Sequence, residues 1–126
     1  MRAIATEHAP LPVGPYSQAI ANGELLFTAG QLGIDPASGE LVEGEIEDEV
    51  SQALRNLAAV LTAGGSAPER VLRTSVYVSD LSLFQRINSV YARFFPDSPQ
   101  PARSTVQVAA LPLGARFEID AIAARD

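Results

Sequence analysis

Apolar positions recur along the chain with two different periods, the period of a helix in some segments and that of a strand in others. Between Ile46 and Ala63 apolar residues recur every three or four positions, which is the spacing of one helix face. Acidic residues occupy the first turn of this segment, where the helix dipole stabilises negative charge, and Gly64-Gly65 follows as a stop. The pattern therefore predicts a helix over residues 46–63.

A second amphipathic segment follows later in the chain. Asp80 or Ser82 can cap its N-terminus, because either side chain accepts a hydrogen bond from a free backbone N–H group. The positions predicted to face inward are Leu83, Phe84, Ile87, Val90, Tyr91 and Phe94. A single helical turn is also predicted at Ser66-Ala67-Pro68-Glu69, which has the spacing of a capping box.

Runs rich in β-branched and aromatic residues predict four strands, at residues 25–29, 71–78, 104–109 and 117–123. The predicted order is strands, a long helix, a strand, a second helix and two strands. This order favours an α+β fold in which two helices cover one face of a sheet. A chain of 126 residues has the size of one domain, so residues 1–126 are interpreted as a single domain.

The other face of this sheet is predicted to be apolar as well. Leu25-Leu26-Phe27 and Val76-Tyr77-Val78 are apolar at consecutive positions, so both faces of these strands carry apolar side chains. Because two helices cover only one side, we expect another subunit to cover the second face, in a homo-oligomer. The alternative is a monomer whose own loops cover it.

Composition excludes several classes of function. The chain has 9 Lys and Arg against 15 Asp and Glu, a formal net charge of −6, which disfavours nucleic acid and anionic membranes as partners. The absence of cysteine excludes disulfides, thiolate nucleophiles and cysteine-ligated metals. The acidic run from Glu43 to Glu49 is interpreted as a solvated helix start, not as a metal site. With no signal-peptide core and no membrane-length apolar segment, we expect a cytoplasmic protein.

The segment Pro101-Ala102-Arg103-Ser104 carries the clearest candidate chemistry. The guanidinium of arginine is a rigid fork of donors that binds a carboxylate in a bidentate manner, and the preceding proline fixes the start of the strand. Arg103 is therefore a candidate site for a small organic anion. The alternative is an arginine at a strand edge in a surface ion pair.

Several segments, taken in order along the whole chain, resemble motifs of the RidA (YjgF) family. They are residues 5–10, residues 13–19 (Val-Gly-Pro-Tyr-Ser-Gln-Ala), residues 27–31 (Phe-Thr-Ala-Gly-Gln), residues 87–95, residues 101–104 (Pro-Ala-Arg-Ser) and residues 118–123 (Glu-Ile-Asp-Ala-Ile-Ala). The resemblance implies a homotrimer of chorismate-mutase-like subunits with active sites in the clefts between them. It also implies hydrolysis of 2-imino acids, such as 2-iminobutanoate and 2-iminopropanoate or their enamine tautomers, to 2-oxo acids and ammonia, without a cofactor or a metal.

The resemblance further implies which residues bind the substrate. Arg103 matches the arginine that binds the substrate carboxylate, and Tyr16 and Asn88 match polar residues of the cleft. Gly30 matches a glycine whose backbone lies against the ligand. Thr105 occupies a position usually held by cysteine, where the main chain touches the substrate. From the residues alone, Asn88 could equally be helix surface and Tyr16 a half-buried ring.

The resemblance assigns the catalytic roles to Arg103 and Asp120. Asp120 occupies the place of a glutamate thought to position the attacking water, and its carboxylate is shorter by one methylene. Without the resemblance, Asp120 is interpreted as a solvent-facing acid on a strand. The shorter side chain keeps open a different class of function, a non-catalytic protein that binds small 2-oxo acids. A third possibility is the ribonuclease or translation-inhibitor activity ascribed to some relatives, which the acidic balance makes weaker.

Overall fold

The computed structural model describes residues 1–95 and 99–126. Within these ranges seven strands form one mixed sheet, and two α-helices pack on one of its faces. The helices are α1 (Ile46–Ala63) and α2 (Phe84–Phe94). The strands are β1 (Arg2–Ile4), β2 (Ala19–Asn22), β3 (Leu25–Thr28), β4 (Gln31–Leu32), β5 (Val71–Val78), β6 (Ala102–Gln107) and β7 (Phe117–Ala124). The predicted α+β class, with two helices on one face, is confirmed.

The sheet has the order β1-β2-β3-β7-β5-β6, and β4 pairs with the first half of β7 beyond the end of β3. Strands β5 and β6 are parallel, and α2 lies in the connection between them, whereas the other pairs are antiparallel. This order leaves β6 at an edge of the sheet, with one side of its backbone unpaired by another strand.

The core lies between the helices and the sheet. Strand β7 alternates strictly, so that Phe117, Ile119, Ala121 and Ala123 are buried while the residues between them are partly exposed. The buried face of α1 includes Val50, Leu54, Leu57 and Leu61. Burial of these side chains is the main favourable contribution to folding.

The longest elements have their predicted bounds, whereas three short strands were not predicted. Helix α1 and strand β5 have the bounds that the apolar pattern predicts. Before α2, the Asp80 carboxylate accepts a hydrogen bond from the Ser82 N–H at 2.9 Å, and a 3₁₀ turn over residues 81–83 precedes the α-helix. Strands β1, β2 and β4, which have two to four residues each, are absent from the prediction. In the described ranges no helix has the length and apolar character to cross a membrane.

The second face of the sheet carries exposed apolar side chains, as predicted. Leu25, Phe27 and Val106 on this face are 37%, 40% and 47% exposed. The described part of the chain contains no loop that covers them. This favours the first of the two alternatives, in which another subunit packs on this face.

A buried asparagine connects α1 to the loop after β4. The Asn56 amide is fully buried and donates hydrogen bonds to the backbone oxygens of Leu32 and Ile34 at 3.0 and 2.8 Å. Its own oxygen accepts from Gln52 at 2.9 Å. Because buried carbonyl groups need partners, this side chain fixes the path of the chain through residues 32–34.

We predict that Asn56→Ala lowers the free energy of unfolding by about 2–4 kcal/mol, because it leaves buried carbonyl groups without partners at roughly 1–3 kcal/mol each. Urea unfolding at a fixed protein concentration measures the change. The neighbouring exposed residue Arg55 provides the control, and Arg55→Ala should change the free energy by less than about 0.5 kcal/mol. Equal stability of the two variants would contradict the role given to Asn56.

Candidate active site

Arg103 lies on the edge strand β6 and points toward α2. It is in register with Thr74 on β5, and both side chains face the helices. Its Nη1 donates a hydrogen bond to Asn88 Oδ1 at 2.7 Å. Its Cζ lies 4.7 Å from the centre of the Tyr91 ring and 5.4 Å from that of Phe84. These three partners are spaced i, i+4 and i+7 along α2, so they share one helix face.

The described residues that contact the Arg103 guanidinium are neutral. No carboxylate of residues 1–95 or 99–126 forms an ion pair with it, whereas Arg70 and Arg116 each have one and Arg86 has two. Within the described residues, then, the predicted alternative of a surface ion pair finds no support. The half-buried guanidinium borders a cavity of about 440 Å³, which is also lined by Asn88, Tyr91, Ala92, Gln100 and Pro101. An aromatic contact attracts a cation without neutralising it, so the charge remains available to an anionic ligand.

Thr105 lies two residues along β6 from Arg103, on the same face. Its hydroxyl oxygen is buried, and no other described residue forms a hydrogen bond with it. The Val108 N–H donates to the Val78 carbonyl, and bonding alternates along a parallel ladder. The backbone groups of Arg103 and Thr105 therefore point toward the free edge of the sheet, where a ligand can reach them.

A larger cavity of about 1010 Å³ brings together a different set of predicted residues. Tyr16 and Gly30 line it, together with Glu118 at its base and several apolar side chains. Its walls come from the N-terminal loop, the loop around β4 and the turn before β7. Gln18 holds the N-terminal wall in place, because its buried side-chain amide forms hydrogen bonds with the backbone of Thr6, Ala9 and Pro10.

Glu118 lies directly against the backbone of Gly30. A Cβ atom added to Gly30 would come within 2.1 Å of Glu118 Oε2, so only glycine leaves room for the carboxylate there. Burial raises the pKa of the Glu118 carboxyl above its usual range, and the negative charge of Asp120 raises it further. A carboxylate with a raised pKa next to a cavity is suited to accepting and returning a proton.

Asp120 lies on the same face of β7 but lines neither cavity. The hydroxyl of Tyr77 is 3.4 Å from its Oδ2, and burial raises the pKa of its carboxyl while Tyr77, Ser75 and Arg73 act to lower it. Within one chain Asp120 therefore lies outside both cavities, and its catalytic role stays a prediction. Sequence reasoning missed Glu118, although it stands in the same motif, because only the contact with Gly30 distinguishes the two acids.

The two clusters lie on opposite faces of the sheet. Arg103 is aligned with Thr74, which faces the helices, and Glu118 is aligned with Tyr77, which faces the open side. Strand spacing and residue rise place their Cα atoms on the order of 14 Å apart. One chain alone therefore does not bring the guanidinium and this carboxylate onto the same small molecule. Among the described residues, no three acidic or histidine side chains cluster closely enough to hold a metal ion.

Comparison with known proteins identifies the family. The family model described as Endoribonuclease L-PSP matches residues 6–125. The human 2-iminobutanoate/2-iminopropanoate deaminase is 43% identical over 97% of this chain and 88% of its own. The chain belongs to the RidA (YjgF) family. The resemblance predicted from the sequence motifs is confirmed.

Other RidA-family relatives carry different names. A RutC family protein of Pyrococcus horikoshii is 47% identical over 98% of this chain and 97% of its own. The crystal structure of E. coli TdcF with bound serine has a TM-score of 0.93 and 37% identity, covering 100% of both chains. The family relationship thus supports deaminase activity among relatives, and the fold is shared over the full length.

We predict that Glu118→Gln stabilises this RidA-family protein at neutral pH. Because the pKa of Glu118 is higher in the folded than in the unfolded chain, the wild type loses stability as pH rises through the usual glutamate pKa of about 4.3 and beyond. The glutamine variant does not titrate there. Thermal melts should show no difference near pH 4 and a higher melting temperature for the variant at pH 7.

Glu47→Gln provides a control of opposite sign. The hydrogen bonds from Arg86 lower the pKa of Glu47 to about 2, so its stabilising effect is present at neutral pH and is lost as pH falls toward that value. This variant should be less stable than wild type at pH 7 and should approach it in acid. If Glu118→Gln followed the same course as Glu47→Gln, the electrostatic description of the cavity would be wrong.

Proposed function

We propose that this protein is a hydrolytic deaminase that converts small 2-imino acids, such as 2-iminobutanoate and 2-iminopropanoate, to 2-oxo acids and ammonia. The observation that carries the proposal is a guanidinium that borders a cavity and has only neutral partners among the described residues; a carboxylate of raised pKa borders a second cavity. The first suits the substrate carboxylate, and the second suits the water that attacks the imine. The names of relatives at 43–46% identity include the same activity.

The active site in this proposal is formed between copies of the chain, in a homotrimer. Arg103 and Glu118 lie on opposite faces of one sheet, so a second copy has to supply one of the two. The exposed apolar side chains of the open face, Leu25, Phe27 and Val106, give that copy a surface to bury. In E. coli TdcF the bound serine is a small amino acid, which has the size and the carboxylate that this cleft would receive.

The reaction needs no group beyond these. Arg103 binds the substrate carboxylate through its fork, and the Asn88 oxygen and the aromatic rings hold the fork in place. Glu118 takes a proton from water as the water oxygen bonds to C2 of the protonated imine, and the C=N electron pair moves to nitrogen. Glu118 then returns the proton to this nitrogen. The C–N bond breaks, ammonia leaves, and the remaining hydroxyl gives its proton to the Glu118 carboxylate to form the 2-oxo acid; this proton then passes to the ammonia or to solvent.

The other predicted residues have supporting roles in this scheme. The free backbone groups of Thr105 face the sheet edge, where a carbonyl oxygen can accept a hydrogen bond from the iminium N–H. Tyr16 and Gly30 line the same cavity as the Glu118 carboxylate. Asp120, the acid that the sequence predicted, remains a candidate that a variant can test against Glu118.

Two other functions are less well supported. The binding-only alternative arose from the short side chain of Asp120, and Glu118 now supplies a full-length carboxylate at the cavity. Ribonuclease activity, which the description of the family model suggests, needs a surface that attracts phosphates. A net charge of −6 argues against such a surface.

We predict that Arg103→Ala lowers kcat/KM for 2-iminobutanoate by about a hundredfold or more, because charge-assisted hydrogen bonds to the carboxylate are lost. Arg103→Lys should also be impaired, since a point charge does not replace a bidentate fork. The imine is generated in the assay by an amino-acid oxidase, and the rate of 2-oxobutanoate formation is compared with the uncatalysed rate. Arg93→Ala, an exposed arginine on the same helix as Asn88, is the matched control. Unchanged activity of Arg103→Ala would refute the clamp.

We predict that two inactive variants restore activity when they share one oligomer. Glu118→Gln and Arg103→Ala should each be inactive alone, whereas Asp120→Asn should keep most of its activity if Glu118 is the base. After joint refolding at equal amounts, about a quarter of the sites combine an intact Arg103 with an intact Glu118, so roughly a quarter of wild-type activity should return. Refolding each variant alone is the control. No recovery in the mixture would contradict a site shared between copies.

A further inference from the structure

Tyr91 borders the arginine cavity, but its hydroxyl is directed at a different residue. The Tyr91 oxygen lies 2.7 Å from the Thr74 hydroxyl oxygen, and the two residues are 6% and 0% exposed. Burial of a hydroxyl group is costly unless it is hydrogen-bonded, so each of these two groups needs the other. The face of the same ring lies 4.7 Å from Arg103. The ring thus links a buried hydrogen bond to the guanidinium.

Strand register explains why Thr74 is well placed for this. Thr74 is paired with Arg103 in the parallel ladder, so the two side chains are neighbours on the helix-facing side of the sheet. Threonine is branched at Cβ and has restricted χ1 freedom, which makes its hydroxyl a firm anchor. The Tyr91 ring is therefore fixed at one end by α2 and at the other by β5. The Phe95 ring, 4.7 Å away, closes a third side.

We propose that Thr74 and Tyr91 are a positioning pair for Arg103, the residue that binds the ligand carboxylate. Their hydrogen bond fixes the position of the Tyr91 ring, and the ring in turn fixes the position of the Arg103 guanidinium in the cavity. This inference rests on the proposed function only in that Arg103 binds the ligand carboxylate. The Tyr91 ring holds the Arg103 guanidinium in place, as a carboxylate does for Arg86 and Arg116, but it does not neutralise the positive charge. An ionic partner at this place would compete with the ligand.

The test separates positioning from stability with three variants, Tyr91→Phe, Thr74→Val and the double variant. Each single change leaves one hydroxyl buried without a partner, so both should lower the melting temperature. Both should also weaken binding of 2-oxobutanoate, measured by calorimetry, and raise KM by roughly threefold to tenfold while kcat stays within about twofold, as expected for a weakened cation–π contact.

The double variant decides between the two roles. It buries no unpaired hydroxyl, so its melting temperature should return close to that of the wild type. The ring is no longer anchored, so the Kd for 2-oxobutanoate should stay raised. In an Arg103→Ala background the same double change should alter that Kd by less than about twofold, because the group it positions is gone.

Phe94→Leu is the matched control. Phe94 lies on the same helix and packs edge-on against Phe95 at 4.8 Å, and its ring does not contact Arg103. This variant should lose stability without a change in Kd. If the Kd of the double variant returns to the wild-type value together with its melting temperature, the pair is structural only and the inference is overturned. If the wild type binds 2-oxobutanoate but hydrolyses no imine, the proposed function fails while the comparison of Kd values still decides the role of the pair.

Discussion

Strand β7 imposes the constraint on which both the core and the candidate site depend. It pairs with β3, β4 and β5, and its side chains alternate without a break between the helix-covered face and the open face. Phe117 and Ile119 enter the core, so Glu118, which lies between them, points the other way. A shift of one residue in register would bury Glu118 and expose Phe117, so the apolar residues fix the direction of the carboxylate. The folding free energy of the core thus places a charged group at a cavity.

The same alternation explains why the functional groups are divided. Arg103 shares its face with the buried residue Thr74, and its long side chain extends along the aromatic side chains of α2. Glu118 shares its face with Tyr77 and Val106, on the side that no helix covers. A sheet separates these faces, so the chain does not close the gap by a side-chain rotation. Association of copies is the simplest way to bring the two groups together.

The sequence predicted the features that depend on periodicity and missed those that depend on tertiary contact. Helix α1 was found to the residue because its apolar face repeats over five turns, whereas β4 has two residues and no detectable period. Arg103 was predicted as a site residue because an arginine directly after a proline at the start of a strand is suited to binding a carboxylate. The sequence analysis predicted Asp120 and not Glu118 as a site residue. The two acids lie on the same face of one strand, and only the close approach of Gly30 to Glu118 distinguishes them. Tyr91 was predicted as core, which it is, and its contact with Arg103 was not foreseen.

The separation of the two charges has a physical advantage. If Arg103 and Glu118 were neighbours on one face of one chain, they would form an ion pair, and each would stabilise the charged form of the other. The pKa of Glu118 would then fall, and the guanidinium would have no free donors for a ligand. Held apart, the guanidinium keeps its charge among neutral partners and the carboxylate keeps a raised pKa in its own cavity. A substrate that carries a carboxylate next to a protonated imine can interact with both groups at once. Its carboxylate binds the Arg103 guanidinium, and its imine carbon is attacked by the water that Glu118 activates. In the proposed site the two charged groups act on one molecule only when a second copy of the chain is present.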